Sequence, residues 1–126
     1  MTTETDTWKQ RVREMGDITD LMAEQFDLNL ERAPVYAAYG TFGVWENRRK
    51  VTLSILDVEE RANAEQAGRK VTDKSVDAIT HANPTYIAMI DDAERGRTAL
   101  AVIDAKLLFL EGLIAKLRAD DYRRNG

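Results

Sequence analysis

Residues 86–117 read YIAMIDDAERGRTALAVIDAKLLFLEGLIAKL. Tyr86, Ala93, Leu100, Leu107 and Ile114 recur every seven residues. Met89, Gly96, Ile103, Leu110 and Leu117 follow them at the same interval. These are first and fourth heptad positions, and a helix carrying them shows one continuous apolar seam. At ~1.5 Å per residue the seam is roughly 48 Å long. A seam of that length is not left in water; it packs on another helix of this chain or on other copies of it. Oligomerisation through Leu100, Ile103, Leu107, Leu110, Ile114 and Leu117 is therefore the first expectation.

Working outward, Asn83-Pro84 starts this helix: Asn is a good N-cap and Pro a good first residue. The helix is expected to end near Tyr122, with residues 123–126 frayed. Before it, Thr72-Asp73 opens a short helix with Val76, Ile79 and Ala82 on its apolar side. Gly68 reads as the C-cap of an earlier long helix, with Arg69 and Lys70 near the negative end of its dipole. That helix is expected to begin at Pro34 and to run through Gly40 and Gly43. Tyr36, Tyr39, Phe42 and Trp45 line its early part. Val44, Val51, Ile55, Val58 and Ala62 give it a second seven-residue rhythm. At the N-terminus, Thr5 or Thr7 caps a helix whose apolar side is Trp8, Val12, Met15, Ile18, Met22 and Phe26, weakened at Gly16. Residues 27–33 are read as its end and a short link. No strand pattern competes.

The expected fold is all-α. Two long helices form an antiparallel hairpin with a short helix at the bend and an acidic helix in front, and the heptad seam assembles copies. The 126 residues divide into an acidic helix and link (1–33) and a hairpin (34–126), a single domain overall.

Composition narrows the function classes. Apolar residues make up 44% of the chain, enough for a core, and charged residues 32%, typical of long exposed helices. There is no cysteine, so neither a disulfide framework nor a thiolate zinc site is available. The segment Met1-Thr2-Thr3-Glu4-Thr5-Asp6 is polar and unlike a signal peptide, and no apolar run approaches the ~20 residues of a membrane span. A cytoplasmic protein without a membrane partner is expected. The net charge of −4 is uneven: residues 1–33 hold eight acidic and four basic side chains, and residues 34–126 hold fourteen of each.

Catalytic material is thin. His81 is the only histidine and reads as a surface or capping residue. Asp91, Asp92 and Glu94 read as first-turn acids that offset the helix dipole. No catalytic residues, metal site or cofactor are expected, so an enzyme is not. Two sets of side chains suggest nucleic acid instead. Arg61, Arg69, Lys70 and Lys74 gather near the bend, and Arg48-Arg49-Lys50 lie midway along the preceding helix. Such cations neutralise phosphates largely without regard to sequence. The alternative is a solvated helix surface, since Glu46, Asp57, Glu59, Glu60 and Glu65 are interspersed. Tyr36, Tyr39, Phe42 and Trp45 have the spacing of a helical core, although exposed aromatics stack on bases.

The sequence Pro34-Val35-Tyr36-Ala37-Ala38-Tyr39 is followed by Trp45, Leu56-Asp57-Val58-Glu59, Gly68-Arg69-Lys70 and Thr72-Asp73-Lys74-Ser75-Val76. Asn83-Pro84-Thr85-Tyr86 and the closing Leu107, Leu110, Leu113, Leu117 and Tyr122-Arg123 complete the order. This order resembles the phage recombination mediator proteins of the UvsY type over residues 20–124. The resemblance implies a small helical protein in a ring-like homo-oligomer. Such a protein binds single-stranded DNA and helps a RecA-like recombinase displace single-strand-binding protein, in the host cytoplasm. It places Arg69 where those proteins carry basic residues, with Arg61, Lys70 and Lys74 nearby. Glu59, Glu60 and Glu65 make this stretch less basic than that role favours. The competing expectation is an oligomeric helical adaptor or host-interaction protein of phage origin without nucleic-acid binding. Its acidic Asp17, Asp20, Glu24 and Asp27 would dock a basic partner.

Overall fold

The computed structural model describes residues 3–41 and 43–125, and is all-α over them: α1 (Glu4–Arg13), α2 (Ile18–Tyr39), α3 (Trp45–Gln66), α4 (Asp73–His81) and α5 (Pro84–Asn125). Phe42 lies outside the described residues, and so does the reading made of it. The chain divides into two compact units, residues 1–35 with 99–126 and residues 36–98. The sequence division at residues 33 and 34 differs from this grouping, because the second half of α5 packs with the N-terminal helices.

In the first unit, Trp8, Val12, Leu21, Leu28, Ile103, Leu110 and Ile114 form one buried cluster. Leu107, Phe109, Leu113 and Leu117 pack against it, and Leu100 is half-buried. Of the two coverings open to the seam, Ile103, Leu110 and Ile114 take the one within the chain: they are buried with residues of α1 and α2. Burying a leucine fully is worth ~1.5–3 kcal/mol, and an internal partner gains this without the entropy cost of association. Elsewhere in the unit Met22, Phe26 and Leu30 are exposed.

α1 begins at a capping box, with Asp6 N–H donating to Thr3 Oγ1 at 3.0 Å. The single N-terminal helix expected over residues 8–26 is instead two helices. Asp17 accepts from Thr19 N–H at 2.9 Å and starts a new helix after Gly16. That restart shifts the helical phase. Leu21 and Leu28 turn inward, and Met22 and Phe26 turn outward.

Residues 27–33 are helical rather than a link, and Pro34 lies inside α2 rather than at its start. Leu28, Leu30, Glu31, Arg32 and Ala33 favour helix. An interior proline costs ~3 kcal/mol. Burial of Leu28 and the ion pair of Arg32 with Asp104, at 2.6 Å, offset that cost.

The Trp8 indole N–H donates to Glu24 Oε1 at 2.7 Å, and Arg11 donates to the same oxygen at 2.8 Å. Burial opposes ionisation of Glu24. The bonds from Trp8 and Arg11 outweigh it and hold the carboxyl below its ordinary 4.5. A carboxyl with a depressed folded value contributes stability above its unfolded value and loses it as pH falls through the folded one. Glu24→Gln is therefore expected to be less stable than the parent at neutral pH, with the gap closing below about pH 4.5. Urea unfolding across pH reads this difference directly.

In the second unit, α2 ends at Tyr39 and α3 begins at Trp45, where an unbroken helix was expected. Gly43 N–H donates to the Gly40 carbonyl at 2.9 Å, and Val44 N–H to that of Ala37 at 3.1 Å. A Cβ at Gly43 would lie 2.6 Å from the Ala38 carbonyl oxygen, so this tight return requires glycine. Gly68, at φ 69°, closes α3, with Arg69 N–H donating to the Ala64 carbonyl at 2.9 Å. Thr72 and Ser75 cap α4 reciprocally, and Asn83 accepts from Thr85 N–H at 2.8 Å at the start of α5. On α4 the inward residues are Val76 and Thr80, whereas Ile79 is exposed.

α3 packs on α4. Its inward side carries buried Trp45 and Ala64 and half-buried Leu53 and Leu56. The second seven-residue rhythm faces out: Val44, Val51, Ile55 and Val58 are exposed. The N-terminal heptad residues Tyr86 and Ala93 are buried within this unit. No helix among the described residues is long and apolar enough to cross a membrane.

Candidate nucleic-acid interface

All seven candidate cations belong to residues 36–98, which hold nine basic and ten acidic side chains, a net charge of −1. The unit as a whole projects no positive field, so any phosphate contact depends on local placement.

The run Arg48-Arg49-Lys50 does not form one patch. Successive helical residues are turned ~100° apart, and the three side chains go to different places. Arg49 reaches inward. It bonds Glu46, and its guanidinium lies 6.0 Å from the centre of the Trp45 ring. The Glu46 bond, and a further one to the Tyr86 side chain, raise the already high pKa of Arg49. The same Arg49 bond holds the Glu46 carboxyl below its ordinary value. Arg48 lines a cleft of about 280 Å³ with Tyr39, Trp45, Met89 and Asp92. Lys50 lines a separate groove with Val51, Ile55 and Glu59.

Near the bend the cations do come together, but with acids. Arg61 donates to Asp57 and to Asp73, each at 2.8 Å, and Asp73 first and Asp57 second raise its pKa. Arg69 pairs with Glu60 at 3.5 Å. Lys70 and Lys74 differ. Both are exposed, and among the described residues neither has an ion-pair partner. They bracket the Thr72 cap, where the N–H groups and positive dipole end of α4 lie.

The aromatic set is mostly interior. Trp45 is buried, and its indole N–H has no acceptor among the described residues. Leaving such a donor unmet costs ~1–3 kcal/mol. Arg97, whose guanidinium lies 4.7 Å from the Trp45 ring centre, supplies a cation–π contact worth ~0.5–1 kcal/mol or more. Tyr39 is half-buried against Gly96, where a built Cβ would meet its ring at 2.1 Å. Trp45 and Tyr39 therefore read as packing residues, not as open stacking platforms. Tyr36 is half-buried.

Sequence reasoning missed Arg97 and Tyr86 as partners of Trp45 and Arg49. One signal was present: Gly96 stands at a seam position, and a glycine inside a helix marks a close approach.

His81 Nδ1–H donates to the Asp77 carbonyl at 2.7 Å, and the ring stacks edge-on to Tyr86. Asp92 pairs with Arg95. Among the described residues no group of three or more His, Asp or Glu is placed to hold a metal ion. Compared with known protein families, curated proteins and solved structures, the chain matches none.

Proposed function

We propose that this chain is a single-stranded-DNA-binding recombination mediator. It acts without bond chemistry, helping to seat a RecA-like recombinase on DNA covered by single-strand-binding protein in the host cytoplasm. The reading rests on the resemblance to UvsY-type proteins and on one observation: Lys70 and Lys74 stand exposed beside the capped start of α4, with no ion-pair partner among the described residues. Two lysines and a helix N-terminus favour a phosphate by charge and by N–H donation. The scaffold of this reading is an antiparallel hairpin of α3 and the first half of α5, with α4 at the bend. Trp45 meeting Arg97 and Arg49 meeting Tyr86 support it. Each chain offers few cations, so a homo-oligomer multiplies weak contacts through effective concentration.

The test is fluorescence anisotropy with a labelled oligothymidylate. Lys70→Ala with Lys74→Ala is expected to weaken binding about tenfold at low salt. It also makes the log–log salt dependence shallower by about 1.4, at ~0.7 for each phosphate that is no longer neutralised. Arg69→Ala does less, because Arg69 is engaged by Glu60. Parental affinity in the double variant counts against the reading.

A second reading, a helical adaptor without nucleic-acid binding, is favoured by a different observation. Arg61, Arg69 and Arg49 are all committed to carboxylates within the chain. Asp20 and Asp27 are exposed on α2, available to a basic partner. Under this reading the parent shows no salt-dependent oligonucleotide binding.

A further inference from the structure

Single exposed apolar residues are ordinary on a protein surface. On α3 they are not single. Val51, Ile55 and Val58 are 51%, 54% and 67% exposed, at the spacing of a coiled-coil seam. They line an open groove of about 560 Å³, completed by Lys50, Ser54 and Glu59. Glu46, Arg49, Asp57, Glu60 and Arg61 of the same helix all pair within the chain. Lys50 and Glu59, which flank the groove, have no ion-pair partner among the described residues.

The six groove positions are symmetric about the midpoint between Ser54 and Ile55. Val51 and Val58 are equally distant from that point, and so are Lys50 and Glu59. A two-fold axis through it lays a second α3 antiparallel on the first. Val51 of each copy then meets Val58 of the other, and Lys50 of each meets Glu59 of the other. A parallel arrangement sets Lys50 level with Lys50 and Glu59 level with Glu59. Self-complementarity of one patch is what an isologous two-fold contact requires.

We propose that the outer face of α3 is a homodimer interface, in which α3 of one copy docks antiparallel on α3 of a second. The apolar stripe supplies the attraction and the Lys50–Glu59 pairs set the direction. The proposal does not depend on nucleic-acid binding. Lys70 and Lys74 lie outside the groove, so the two sets of variants separate the two ideas.

Light scattering and sedimentation over a concentration series test it. The parent is expected to approach twice its 14.3 kDa chain mass at high micromolar concentration. Ile55→Glu should raise the dissociation constant about tenfold or more, with unchanged helicity and, at dilutions where the parent is monomeric, unchanged melting. Lys50→Glu weakens the dimer, and adding Glu59→Lys restores it. The chain has no cysteine, so direction is read by oxidation of single-cysteine variants. A mixture of Val51→Cys and Val58→Cys chains should cross-link to each other, and neither should cross-link efficiently alone. A parent that stays monomeric, an Ile55→Glu variant of unchanged mass, or cross-linking of Val51→Cys to itself would each overturn the proposal.

Discussion

Leu110→Ala is expected to lower the unfolding free energy by about 3 kcal/mol and the melting temperature by roughly 10 °C. Leu110 is fully buried between α1, α2 and its own helix, so truncation removes transfer energy and leaves a cavity the neighbours cannot fill. A domain of this size has ~5–15 kcal/mol in total, so one such loss is a large share. Leu108 is the internal control. It sits two residues away on the same helix but is 71% exposed, and Leu108→Ala should change stability by less than ~0.5 kcal/mol. The concentration dependence decides what covers the seam. A loss that is the same at all protein concentrations means that α1 and α2 cover Leu110. A loss that grows as concentration rises means that sister copies do, and would refute the packing described above.

Gly96→Ala should destabilise, against the usual trend for helical glycines. Alanine in place of glycine inside a helix gains ~1 kcal/mol of propensity. At Gly96 the new methyl would arrive 2.1 Å from the Tyr39 ring, so the ring or the helix has to move. Overpacking of this kind costs ~1–3 kcal/mol, and the net expected is a loss of about 1–2 kcal/mol. Gly112 provides the contrast on the same helix. Nothing lies within 4 Å of its built Cβ, so Gly112→Ala should stabilise by about 1 kcal/mol. Thermal unfolding followed by circular dichroism measures both. Equal gains from the two substitutions would mean that Tyr39 does not pack on α5 at Gly96.

Helix ends were the most legible feature of the sequence. Thr72, Gly68 and Asn83-Pro84 sit at the helix ends their chemistry predicts, because a cap satisfies backbone groups within three or four residues. Pro34 was misleading for a related reason. Its local preference for a first turn was overridden by Leu28, which needs α2 to continue in order to stay buried. Gly40 and Gly43 were read as helical small residues, and their close backbone contacts make them a turn. At the candidate interface, the identity of the cations was visible in the sequence and their availability was not. Arg61 is taken by Asp73, twelve residues on, whereas Lys74, the next residue, is exposed and has no ion-pair partner among the described residues.

By itself, then, the amino-acid order determined that this chain is helical, where α3 ends and where α4 and α5 begin and end, and that it carries two apolar stripes of heptad spacing. Those properties follow from hydrogen bonds, caps and periodicity that span a few residues. Only the tertiary structure decided that the stripe on α5 is buried by α1, α2 and the residues around Tyr39, while the stripe on α3 is left open. The two stripes have the same period. Which one is buried depends on how much apolar area distant segments can remove from water together, and a periodic pattern does not encode that.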